Sequence, residues 1–163
     1  MKSLLIVGTG SIGRRHIDNF SKYFESVDIV DTNPDRIEQA KSLFKIASSY
    51  TDYREALSSG VYDAVAITAP PHIHLPVALE AANKGAHLFI EKPLGMSVEG
   101  WEEVRALCEE KGLTAYVAYC HRFIPYTEKF KELIDSGRIG RVVNANVRWG
   151  SYFPDWHPYE DYR

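Results

Sequence analysis

SLLIVGTGSIG, residues 3–13, sets an aliphatic run against three glycines spaced G-x-G-x-x-G. A short continuous apolar run reads as a strand buried on both faces, and the segment after the glycines, from Ile12 to Phe24, has the period of a helix. Strand, glycine loop and helix in that order form the first turn of a dinucleotide-binding α/β unit. Each glycine has its own physical reason. Gly8 permits the tight turn, Gly10 lets the backbone approach a pyrophosphate, and Gly13 lets the helix pack close to the strand. The N–H groups of Ser11 and Ile12 at the helix start then face the ligand with a partial positive charge behind them. The plainer alternative is a strand–helix turn that needs glycine for geometry alone.

The next strand, Val27 to Val30, ends in Asp31, about 20 residues past the loop, where a carboxylate accepts hydrogen bonds from a ribose hydroxyl. A carboxylate there suits a free 2'-hydroxyl and repels a 2'-phosphate, which predicts NAD rather than NADP. Arg36 would argue the other way, but it is predicted one turn into the following helix on a solvated face.

Apolar runs and helical segments go on alternating, which predicts a doubly wound parallel sheet of Rossmann type with helices on both faces. Pro34 to Phe44 reads as a helix opened by proline, Lys45 to Ala47 as a short third strand, and Asp52 to Ser58 as a brief helix closed by Gly60. Ala64 to Thr68 is a strand, His74 to Lys84 a helix ending at Gly85, and His87 to Ile90 a strand. Ser97 starts an incomplete capping box for a helix running to Gly112; Ala115 to Tyr119 is a sixth strand and Pro125 to Ile134 a helix. From Arg141 to Trp149 the pattern changes, with Val143, Ala145, Val147 and Trp149 on one face and polar residues on the other. This predicts the first strand of a different sheet. The expected division is a dinucleotide-binding domain over 1–122 and, over 123–163, a connecting helix with the start of a second α/β domain.

Bulk properties exclude several classes. The chain has 163 residues, 45% hydrophobic and 25% charged, as an ordinary folded domain does. Its net charge is -3, from 19 basic and 22 acidic residues, and no basic run exceeds Arg14-Arg15, so no nucleic-acid partner is expected. Leu4 to Val7 is too short for a signal-peptide core or a membrane span, which predicts a cytoplasmic protein without a membrane partner. Cys108 and Cys120 lack metal-ligand spacing and are expected to be free thiols.

Two further stretches carry chemistry: ITAPPHIHLPVALEAANKGAHLFIEKPLG, residues 67–95, and AYVAYCHRFIPYTEKFKELIDSGRIGRV, residues 115–142. Read bottom-up, Lys92 lies at the carboxyl end of a parallel strand, the edge where such sheets bind ligands. A lysine at that edge is suited to exchange a proton with a bound ligand. The competing reading is a surface lysine paired with Glu91. His72 and His74 suggest a metal pair, but no third ligand of fitting spacing accompanies them, so no metal is expected.

With the glycine loop, these stretches resemble the Gfo/Idh/MocA family of nicotinamide-dependent oxidoreductases, which act mainly on sugars, cyclitols and their derivatives. The most specific element is Glu91-Lys92-Pro93. The resemblance implies that it closes the fifth strand and places Lys92 beside the nicotinamide and the reacting hydroxyl. It also implies that Thr68, Ala69, Pro70 and Pro71 form the loop over the nicotinamide ribose, with His74 close by and Glu91 contributing to the cofactor site. Where the family usually shows an asparagine and two arginines before phenylalanine, this chain has Cys120, His121 and Arg122. Arg122 keeps the family's position for a contact with cofactor or substrate oxygen, whereas Cys120 lacks an amide's donors.

The resemblance further implies a second α/β domain supplying an aspartate and a histidine to the catalytic group. Asp155 and His157 lie before the expected place, so the chain is expected to be a fragment or to be completed by another chain. The predicted function is hydride transfer between NAD and a hydroxyl carbon of a small sugar-like substrate, the isolated chain binding cofactor but turning over poorly. A non-catalytic NAD-binding or sensing module and an NAD-assisted glycoside hydrolase are the alternatives. The uncovered apolar face of Val143 to Trp149 predicts a homo-oligomer.

Overall fold

A computed structural model describes residues 2–148 and residue 150. The chain divides into two compact units, Met1–Tyr119 and Cys120–Arg163. The first contains β1 (Ser3–Val7), α1 (Ser11–Phe20), β2 (Ser26–Val30), α2 (Pro34–Leu43), β3 (Ser49–Tyr50), α3 (Tyr53–Ser59), β4 (Ala64–Ile67), α4 (His74–Asn83), β5 (His87–Ile90), α5 (Trp101–Lys111) and β6 (Ala115–Val117). The six strands form one parallel sheet in the order β3-β2-β1-β4-β5-β6. This is the doubly wound Rossmann architecture, with its switch in strand order between β1 and β4.

The aliphatic run of β1 is continuous because both of its faces are buried. Leu4 and Ile6 pack with Val27 and Ile29 of β2, Ile17 of α1, and Ile37 and Ala40 of α2. Leu5 and Val7 point the other way, into a cluster with Val65, Ile67, Leu88 and Ile90, covered by Val77, Ala78 and Ala81 of α4 and Val104 of α5. Successive side chains thus feed opposite layers, each buried aliphatic side chain contributing about 1.5–3 kcal/mol.

Local chemistry sets several element ends. The Asn33 side chain accepts a hydrogen bond from the Asp35 N–H ahead of Pro34, and Asp52 does the same for Arg54 at the start of α3. Helix α5 starts at Trp101, later than Ser97, because Gly100 takes a left-handed conformation (φ +83°) that interrupts the helix; the Ser97 hydroxyl instead accepts from Glu99 N–H. The third strand lies at Ser49–Tyr50 instead of Lys45–Ala47. Ser49 and Tyr50 pair in parallel register with Ile29 and Val30, while of the expected segment Ala47 alone bonds to β2, its N–H donating to Val27 O. Helix α1 stops at Phe20, where the Ser21 hydroxyl bonds back to Ile17 O, short of the expected Phe24.

The second unit contains α6 (Pro125–Asp135), preceded by a 3-10 turn over Cys120–Phe123. The alternating segment expected as a strand from Arg141 is not one. Residues 141–148 carry no strand, with Val143 and Val147 86% and 87% exposed. A strand needs a neighbour to pair its backbone groups, and no described segment supplies one. Trp149, Asp155, Trp156, His157 and Tyr159 lie outside the described residues. Among the described residues no helix is long and apolar enough to cross a membrane.

Candidate functional site

The strand ends are aligned. Val7 pairs in register with Val30 and with Ile67, and Ile67 with Ile90, so Gly8, Asp31, Thr68 and Glu91 are the first residues beyond one row of the parallel sheet. Chain segments far apart in sequence therefore emerge side by side at the carboxyl edge, where open α/β sheets bind ligands.

The glycine loop meets the geometric demands placed on it. Gly8 has φ +100°, and a Cβ there would come within 2.7 Å of Ala69 N. A Cβ on Gly13 would lie 2.0 Å from Gly8 O, so α1 is packed against the loop with no room for a methyl group. Gly10 is different: nothing lies within 4 Å of the position a Cβ would take, and its backbone faces open space. No side chain caps the start of α1, which leaves the first-turn N–H groups there available to an acceptor. The Thr68 hydroxyl lies 2.6 Å from Gly8 O and 3.1 Å from Val7 O, fastening the loop after β4 to the glycine loop. Arg14 braces the same turn by donating to Thr9 O at 3.1 Å and to Gln39 Oε1 on α2 at 3.0 Å.

Asp31 is 7% exposed and already holds the loop. Its Oδ2 accepts from Thr9 N–H at 2.8 Å and from the Thr9 hydroxyl at 3.0 Å, while Oδ1 accepts from Asn33 N–H at 2.9 Å. A carboxylate oxygen has two lone-pair sites, so Oδ2 is filled and Oδ1 retains one. The expected ribose contact therefore has one acceptor site left, and the carboxylate has a structural duty that the sequence did not announce. The open Gly10 face, the uncapped helix start and the remaining Oδ1 site together fit a dinucleotide.

At the end of β5, Glu91 is buried and Lys92 exposed. The two side chains form no close salt bridge, though the Lys92 charge acts on the Glu91 carboxylate. Glu91 Oε1 accepts from His16 Nε2 at 2.9 Å, and Oε2 accepts from the backbone N–H of Lys92 at 2.9 Å. Burial alone would push the Glu91 carboxyl upward, but the hydrogen bonds from His16 and from the Lys92 N–H outweigh it and hold it below the usual carboxylate range. The ammonium of Lys92 has no hydrogen bond or ion pair among the described residues. The Lys92–Pro93 peptide is cis.

His74 does not offer a free ring to a ligand. It is 1% exposed, with Nε2 2.7 Å from Ala69 O and Nδ1 2.9 Å from Pro93 O. It joins the loop after β4 to the segment after β5, between Pro70 and His72, which are exposed, and Lys92. Arg122 is exposed and belongs to the second unit, in the 3-10 turn with Cys120 and His121. Both cysteines are free. Among the described residues no group of three or more His, Cys, Asp or Glu side chains forms a metal site.

The sequence reading passed over His16. Its signal was available: it stands three residues beyond Gly13, so the two share the helix face that packs against the sheet. Its ring lies against Phe20 and Phe89, with centroids 5.4 Å and 4.8 Å away.

A family model described as an oxidoreductase family with an NAD-binding Rossmann fold, GFO_IDH_MocA, matches residues 2–119. An uncharacterized oxidoreductase of Bacillus subtilis, YrbE, is 32% identical over 83% of this chain and 40% of its own length. The scyllo-inositol 2-dehydrogenase (NAD(+)) of the same organism is 30% identical over 85% of this chain and 41% of its own. Among solved structures, scyllo-inositol dehydrogenase from Lactobacillus casei, crystallised with NAD(H) and scyllo-inositol, superposes with a TM-score of 0.77 at 26% identity, covering 86% of this chain and 42% of that one. The chain thus spans about two fifths of the length of these relatives.

Proposed function

The chain belongs to the Gfo/Idh/MocA oxidoreductase family with its NAD-binding Rossmann domain, and on that premise we propose that it works in hydride transfer between NAD and a hydroxyl-bearing carbon of a cyclitol or sugar. The observation that carries the reading is the exposed Lys92, whose side chain makes no hydrogen bond among the described residues, on the same sheet edge as the open face of Gly10. The naming of one relative for scyllo-inositol and NAD(+), and the presence of both in one similar crystal structure, support the cyclitol class and the NAD preference. When bound, the nicotinamide supplies the two-electron acceptor for the hydride.

This chain's residues do the rest. Gly8, Gly10 and Gly13, with the N–H groups of Ser11 and Ile12, receive the pyrophosphate, and Asp31 Oδ1 accepts from a ribose hydroxyl while its charge opposes a 2'-phosphate. The Thr68-Ala69-Pro70 loop lies beside the nicotinamide ribose. As the carbon gives up its hydride, Lys92 Nζ in its neutral amine form takes the proton from the hydroxyl oxygen and becomes the ammonium, which returns that proton in the reducing direction. Arg122 contacts cofactor or substrate oxygen. The isolated chain binds cofactor and turns over slowly, and it self-associates through the segment bearing Val143 and Val147, a reading that their exposure supports.

Titration with NADH and NADPH, followed by fluorescence, tests the proposal. Wild type is expected to bind NADH more tightly than NADPH, Asp31→Ala to lose affinity and the preference, and Lys92→Ala to bind while hydride transfer falls about 100-fold or more. Failure of both nucleotides to bind would sink the reading.

A further inference from the structure

Imidazole rings contact Glu91 and Pro93, the residues on either side of Lys92, and we infer that His16 and His74 are positioning residues for it. The inference rests on the proposed role of Lys92 for its functional meaning, but the geometry stands by itself. On one side, His16 Nε2 donates to Glu91 Oε1 at 2.9 Å, and the other oxygen of that carboxylate accepts the Lys92 N–H at 2.9 Å. On the other side, the carbonyl of Pro93 lies 2.9 Å from His74 Nδ1, whose second nitrogen reaches Ala69 O at 2.7 Å. The carboxylate before Lys92 and its own N–H are fastened, and the carbonyl after it lies against a buried ring whose neutral form donates to one of its two carbonyl neighbours. The Lys92 side chain makes no hydrogen bond among the described residues.

Neither ring is a chance neighbour. Phe20 and Phe89 hold the His16 ring in place, and Gly13 on the same helix face brings α1 close enough for the ring to reach β5. His74 opens α4, and its ring is fully enclosed. The two rings also tie Lys92 to the parts that receive cofactor: His16 belongs to the helix that opens at the glycine loop, and His74 grips the loop expected over the nicotinamide ribose. A lysine Nζ that must meet a hydroxyl proton loses about 100-fold in rate for a 1 Å misplacement, so a fixed backbone matters even for a mobile side chain.

Amide hydrogen exchange at Lys92, read by NMR without nucleotide, tests this directly. In His16→Ala the Lys92 amide is expected to exchange at least about tenfold faster, the loss of one charge-assisted hydrogen bond, while amides of Val65 and Leu88 in the sheet stay within about twofold. His16→Gln, whose amide can donate to the same carboxylate oxygen, is expected to restore protection. In His74→Ala, or in His74→Gln if the alanine variant does not fold, the Lys92 amide, one residue before Pro93, is expected to accelerate likewise. Unchanged exchange at this amide overturns the inference, and so does a uniform acceleration across the sheet, which would mark both rings as general core. Failure of the proposed function would look different: Lys92→Ala would keep hydride transfer while the exchange pattern stood as described.

Discussion

Gly10 and Gly13 look alike in the fingerprint and do opposite things. Gly13 is glycine because a Cβ would strike Gly8 O at 2.0 Å, whereas a Cβ on Gly10 would enter empty space. Gly13→Ala is expected to destabilise the fold by about 3 kcal/mol in urea unfolding. Gly10→Ala should cost only about 1 kcal/mol, as an alanine at a helix N-cap does, yet weaken NADH binding by at least about tenfold. Glu91 makes a prediction of a different kind. Its carboxyl is held below the usual range in the fold, so the unfolded state binds more protons at acid pH. Its contribution is therefore complete above the ordinary carboxylate value of 4.5 and is lost as pH falls through the lower folded value. Urea unfolding of wild type and Glu91→Gln should give curves whose difference shrinks in that acid window and is constant above it. The carboxylate pattern of Asp31 and Glu91 was visible in the sequence; their partners Thr9 and His16 were not, because each bond joins residues brought together only by the sheet.

At the scale of elements, the apolar runs announced β1, β2, β4 and β5 nearly to the residue, since strands buried on both faces must be apolar throughout. Elements ruled by one backbone bond were harder to place. Gly100 delays α5, and β3 lies where register with β2 permits it, not where its residues look most strand-like. The segment from Arg141 has strand alternation but no strand beside it, and periodicity cannot create a pairing partner. Its exposed valines give a test of self-association: Val143→Asp with Val147→Asp should lower the sedimentation coefficient while leaving the thermal midpoint within about 1 °C, as for changes at exposed sites.

For the whole molecule, every buried apolar side chain among the described residues precedes Tyr119, and both core clusters belong to the unit Met1–Tyr119. A chain ending at Tyr119 is accordingly expected to unfold cooperatively in urea and to keep measurable NADH binding, weakened by no more than the single contact proposed for Arg122, since the glycine loop and both layers of the sheet are present. Loss of the cooperative transition would show that residues beyond Tyr119 complete the core.

What the sequence by itself determined is whatever depends on local chemistry: burial of the strands, the need for glycine at positions 8 and 13, the parallel sheet, and Lys92 at a strand end. The tertiary structure alone decided the register that aligns Gly8, Asp31, Thr68 and Glu91, the sharing of Asp31 with Thr9, and the grip of His16 and His74 on either side of Lys92. The reason is physical. Propensity and periodicity act within a few residues, whereas a hydrogen bond between residues 16 and 91 exists only after two strands and a helix have packed.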